Sequence, residues 1–141
     1  MREDKYLIIY VDDSVMAQEM VSDGLKGTDY LVETANDVRD LEKRLLSEVN
    51  TLWQVDLFIF DFDMPDLTGA QIASSLDRVY KELKAIPFII FSGKPREEVL
   101  KAIEAAQQSS PTFARNYRGY LEKKGESVGE LLEKIQELLP G

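Results

Sequence analysis

Four clusters of chemically capable side chains stand at the ends of apolar runs. Asp12 and Asp13 close "LIIYVDD", Asp61 and Asp63 close "LFIFDFDMP", Ser92 closes "FIIFSG", and Lys123 closes "GYLEK". Clustered carboxylates repel, and each raises the other's pKa unless a cation neutralises them. Oxygen donors without histidine or cysteine suit a hard cation, and Mg²⁺ binds through one or two carboxylates plus waters and phosphate oxygens. An Asp carboxylate can itself be a nucleophile and form an aspartyl-phosphate. A lysine supplies a positive point charge and a serine a hydrogen-bond donor, both suited to a phosphoryl group. Together, metal and lysine stabilise charge on the transferring oxygens.

Composition narrows the alternatives. The 141 residues contain no cysteine and no histidine, which rules out disulfides, thiolate or imidazole metal sites, His-dependent triads and a phosphohistidine carrier. A hydrophobic content of 44% and charged content of 30% are those of an ordinary globular domain, long enough to bury a core. The net charge of −9 disfavours direct binding to nucleic acid, which needs clustered Lys and Arg. No run approaches the ~20 apolar residues of a membrane span, and "MREDKYLIIYVDD" does not read as a signal peptide. A cytoplasmic protein with protein or small-molecule partners is expected.

Those clusters must be carried by elements that bring them together. Short apolar runs predict strands at 5–11, 29–35, 55–60, 87–91 and 118–123. Helical spacing predicts helices over about 14–27 with Ser14 as a possible N-cap, over 37–49 and 68–83, from Pro95 in its first turn, and over 127–139. Strands alternating with helices imply an open, mostly parallel sheet covered on both faces. In such a sheet, ligands bind beyond the carboxyl ends of the strands, where strand order reverses. Four of the five strands end in a residue able to bind a metal or a phosphoryl group, and a parallel sheet puts them on one edge. One domain over 1–141, without an effector domain, is expected.

In these residues the chain resembles the receiver domain of two-component response regulators. The resemblance rests on "VDD", "DFDMPDLTG", "IIFSG" and "YLEK", and it extends over essentially the whole sequence. It implies a flavodoxin-like, doubly wound, five-stranded parallel sheet of order 2-1-3-4-5 with helices on both faces. Asp61 would be the phosphoacceptor and also a Mg²⁺ ligand, Asp13 would ligate the ion directly, Asp12 would support it through water, and Asp63 would lend its backbone carbonyl. Ser92 would bond a phosphoryl oxygen, Lys123 would pair with the phosphate, and Tyr120 would change rotamer on activation. Asp63 and Lys94, two residues beyond Asp61 and Ser92, would modulate dephosphorylation by pairing across the site mouth. The donor would be a histidine kinase or a histidine phosphotransfer protein. The signal would leave through the fourth helix, fifth strand and fifth helix to a downstream protein, with phosphorylation-dependent homodimerisation among the outcomes. The protein would catalyse only its own phosphorylation and slow dephosphorylation.

Other readings of the same residues stay open at this level. Asp12 and Asp13 can cap the first helix, Ser92 can be a strand-end hydroxyl, and Tyr120 a plain strand aromatic. The run "IFDFDM" also matches the Asp-x-Asp strand of haloacid-dehalogenase-like phosphatases, although the acidic pair lies on the first strand and no cap segment follows. A third reading is a binding module that keeps the fold without phosphorylation. Two departures from the receiver pattern stand out. Lys124 occupies the usual Pro position, where a cis bond would now cost ~3 kcal/mol. The segment "SSPTFARNYRG" (109–119) predicts a loop longer than the usual ~4–6 residues, either packed by its own aromatics or serving as a partner contact.

Overall fold

The computed structural model describes residues 6–36, 40, 55–61, 87–109, 111–122 and 127–139. Its strands are β1 (Tyr6–Val11), β2 (Tyr30–Ala35), β3 (Val55–Asp61), β4 (Phe88–Ser92) and β5 (Tyr117–Glu122). They pair in parallel in the order β2-β1-β3-β4-β5. Burial explains the sequence pattern. The central strands β1, β3 and β4 are buried on both faces and are therefore apolar almost throughout. Edge strand β2 alternates between buried and exposed positions.

Alternate residues of each strand feed two cores. On one face, Ile9, Phe58, Phe60, Phe88 and Ile90 pack with Val99, Ile103 and Ala106 of the helix Arg96–Ser109. On the other, Ile8, Ile59, Ile89 and Phe91 pack with Val21 of the helix Val15–Gly24 and with Leu131 and Ile135 of the helix Ser127–Leu138. The sheet is thus covered on both sides, as the strand–helix alternation requires. Ser14 caps its helix, accepting from the Ala17 N–H at 3.2 Å. Gly27, at φ +77°, supplies the left-handed residue of the turn that follows.

Several boundaries differ from expectation. The fourth described strand runs one residue further, to Ser92, and Pro95 precedes its helix instead of opening it, with its carbonyl accepting from Val99 N–H at 3.2 Å. The predicted loop over 109–119 is not a loop. It holds a six-residue helix, Pro111–Asn116, and Tyr117 already belongs to β5. Pro at the first helical position loses no hydrogen bond and has its φ preset. Arg118 closes the other end, its guanidinium donating to the carbonyls of Arg115 at 2.7 Å and Tyr117 at 3.1 Å. The helices expected over 37–49 and 68–83 lie outside the described residues, save Asp40, which is helical.

Two bulges adjust the sheet. Between β1 and β3 the register steps from Leu7↔Val55 to Ile8↔Leu57, which leaves Asp56 as the extra residue. The Asp56 carboxylate takes over the ladder, accepting from the Leu7 N–H at 2.8 Å. Between β4 and β5 it steps from Phe88↔Tyr117 to Ile90↔Tyr120. Gly119 supplies the φ of +138° that this extra residue needs. The step puts Tyr117 and Tyr120 against the same core, although they stand an odd three positions apart.

Candidate functional site

Strand order reverses between β1 and β3, since the chain leaves β1 for β2 on one side and resumes with β3 on the other. That switch point is where an open sheet leaves a crevice at its carboxyl edge. Asp12 and Asp13 follow the end of β1, and Asp61 is the last residue of β3. One carboxylate oxygen from each of the three lies within 4.8 Å of the others. Asp61 is 1% exposed and Asp12 0%, whereas Asp13 is open to solvent.

Burying a carboxylate is costly unless donors meet it. Asp12 is met from several sides. Its Oδ1 accepts from the Ser14 N–H at 2.9 Å and its Oδ2 from the hydroxyl of Tyr10. Its own N–H donates to the Ala35 carbonyl at 3.0 Å, and its carbonyl accepts from Gln18 Nε2 at 2.6 Å. Gln18 also donates to Asn36 Oδ1 at 3.0 Å, which ties the end of β1 to the end of β2.

On the next strand, Asp61 pairs with Phe91, so Ser92 follows beside the acid cluster. Ser92 is fully buried, and its Oγ accepts from the Lys94 N–H at 3.2 Å, while Lys94 itself is exposed. In β5, Glu122 pairs with Ser92, and Lys123 is the next residue in the chain. Lys123, Asp63 and the Lys123–Lys124 bond lie outside the described residues, as does the expected Asp63–Lys94 pair. Tyr120 is half-buried, with the Arg96 guanidinium 5.9 Å from its ring centre. Arg96 also reaches Glu122 at 3.7 Å.

The donor set suits a small hard cation. Three carboxylates at the ends of two strands, converging without nitrogen or sulfur ligands, supply the oxygen donors from which Mg²⁺ takes one or two directly while keeping waters of its own. Two participants were not evident from sequence pattern. Tyr10 stands out only as a hydroxyl within "LIIYV", two residues before Asp12 and hence on the same strand face. Arg96 carries no signal until the fold places it over Tyr120.

A parallel sheet of order 2-1-3-4-5 with acids at its switch point defines a flavodoxin-like domain with an oxygen-donor site. The chain belongs to the response regulator receiver domain family, whose model matches residues 8–136. A protein-glutamate methylesterase/protein-glutamine glutaminase of Trichodesmium erythraeum (strain IMS101) is 27% identical over 134 residues, which are 94% of this chain and 37% of that protein. The chain therefore spans little more than a third of that curated relative. Chemotaxis protein CheY4 of Vibrio cholerae superposes with a TM-score of 0.70 at 25% identity, covering 96% of this chain and 99% of that one. A response regulator receiver protein from Pseudomonas putida shares the fold with a TM-score of 0.71 at 20% identity, over 94% and 97% of the two chains.

Proposed function

We propose that this receiver accepts a phosphoryl group on Asp61 and signals by a phosphorylation-controlled protein–protein interaction. The observation that carries the proposal is the convergence of Asp12, Asp13 and Asp61 within 4.8 Å at the switch point. An Asp61 carboxylate oxygen attacks phosphorus of a phosphohistidine on a partner kinase or phosphotransfer protein. The P–N bond breaks, its electron pair stays on the imidazole, and that nitrogen takes up a proton. Asp12, Asp13 and Asp61 would hold Mg²⁺, with the backbone carbonyl of Asp63 as a further ligand. Bound there, the cation would supply positive charge that offsets the carboxylates and the transferring oxygens.

Ser92 donates its hydroxyl to a phosphoryl oxygen, and Lys123 pairs with the phosphate. Tyr120 reports the new state by changing rotamer, and Asp63 with Lys94 restricts water access to the phosphoryl group. Water then hydrolyses the aspartyl-phosphate slowly, so the protein is a signalling switch and not an enzyme with a separate substrate. The signal passes through the face formed by the helix Arg96–Ser109, β5 and the helix Ser127–Leu138. The proposed site of action is the cytoplasm; among the described residues no helix is long and apolar enough to cross a membrane. The methylesterase and glutaminase activities in the relative's name are that protein's own.

Incubation with Mg²⁺ and acetyl phosphate is expected to add one phosphoryl group, seen by intact mass as a base-labile adduct. Asp61→Asn should abolish it. An adduct that persists in Asp61→Asn, or a wild-type chain that takes up none, overturns the assignment.

A further inference from the structure

We propose that Tyr10 is a positioning residue for the cation site: its buried hydroxyl, with the Ser14 amide, holds the Asp12 carboxylate in the orientation that Mg²⁺ binding requires. This rests on the reading of Asp12, Asp13 and Asp61 as the cation's ligands. Tyr10 is fully buried in β1, and its ring lies 6.2 Å from that of Phe91, tilted by 58°. Neighbouring core side chains thus fix the hydroxyl, and strand alternation aims it along the same face as Asp12.

Asp12 is gripped at its amide, its carbonyl and both carboxylate oxygens. Each oxygen of an ionised carboxylate offers about two acceptor positions, so a protein donor and a cation-bound water can share one. The contrast with exposed Asp13 is functional. Asp13 must be ordered when a cation arrives, whereas Asp12 is already placed, and preorganisation lowers the cost of binding. Hydrogen-bond partners of metal ligands typically alter affinity by about 10–100-fold when removed.

The sheet supplies its own control. Tyr30 is also a buried strand tyrosine, but its hydroxyl donates to the Leu139 carbonyl at 2.6 Å, at the opposite edge. Tyr10→Phe and Tyr30→Phe each delete one buried hydroxyl and keep the ring. Calorimetric titration with MgCl₂ alone is expected to show about 10-fold or more weaker binding for Tyr10→Phe. Tyr30→Phe should bind as the wild type does. In the wild type, Mg²⁺ should shift the ring resonances of Tyr10 and leave those of Tyr30 in place, a readout that needs no variant. Equal affinity in Tyr10→Phe and wild type overturns the role of Tyr10 and leaves the phosphoacceptor assignment standing. Equal weakening in both variants overturns it as well, because the cause is then general loosening. A wild-type chain with no affinity for Mg²⁺ overturns both the role of Tyr10 and the cation site.

Discussion

The two edges of the sheet spend buried polar groups in opposite ways. At the amino edge, Tyr6 and Tyr30 stack with ring centres 5.8 Å apart, and Tyr30 ties its hydroxyl to Leu139, just past the last helix. These contacts close the fold and involve no carboxylate. At the carboxyl edge the sheet buries Asp12, Asp61 and Ser92, and a tyrosine of the same kind spends its hydroxyl on an acid. Even with donors meeting Asp12, gathering carboxylates there works against folding, since desolvation and mutual repulsion both penalise the charges. The amino edge is built for stability, and the carboxyl edge gathers like charges whose repulsion a cation would relieve.

That contrast is testable through stability. The largest effect expected is that of Mg²⁺ itself. At a hundred times its Kd, it should raise the unfolding free energy by about 2.7 kcal/mol, measured by urea denaturation with Mg²⁺ against EDTA. Asp13→Asn should shrink the increment, while Tyr30→Phe should keep it whole. An increment of equal size in Asp13→Asn would break the assignment of charge relief to the carboxyl edge. The next effect belongs to the amino edge. Tyr30→Phe removes a neutral hydrogen bond and should cost about 0.5–1.5 kcal/mol, by the same amount with and without Mg²⁺. A cost that depended on Mg²⁺ would mean that the two edges are coupled.

The same division governs what could be read from sequence. The strands β1, β3 and β4 were legible because a strand buried on both faces must be apolar along its length. The grouping of Asp12, Asp13 and Asp61 was legible because acids that end such strands can only meet at one edge of a parallel sheet. The helix Pro111–Asn116 was not, because six residues with Pro, Arg and Asn carry turn chemistry as readily as a helical period. Its end is met by the Arg118 guanidinium, which donates to the Arg115 carbonyl, a contact that no sequence period announces. The bulge at Gly119 was hidden for a related reason. One inserted residue shifts Tyr120 onto the face of Tyr117, and strict alternation would have set them on opposite faces. Tyr10 was hidden because one aromatic in an apolar run reads as core, which its ring also is.

Tyr117 offers the subtlest test of the amino edge. It opens β5 against Phe88, with ring centres 5.9 Å apart, and its phenol is pushed from the ordinary 10.0 up to about 12. Burial is the main cause, Tyr120 adds to it, and Arg96 opposes it. The folded chain therefore keeps this proton at a pH where the unfolded chain has released it. The sign follows: the contribution is fully present below pH 10 and is lost as pH rises through about 12. One such group changes stability by at most ~1.4 kcal/mol per pH unit. Solvent reaching a half-buried ring makes the real slope smaller. Urea unfolding across that range should show the wild type losing stability more steeply than Tyr117→Phe, with the two curves parallel at lower pH. Parallel curves throughout would mean that Tyr117 ionises in the folded chain as it does in the unfolded one, and that burial of its phenol adds nothing to the stability of the amino edge.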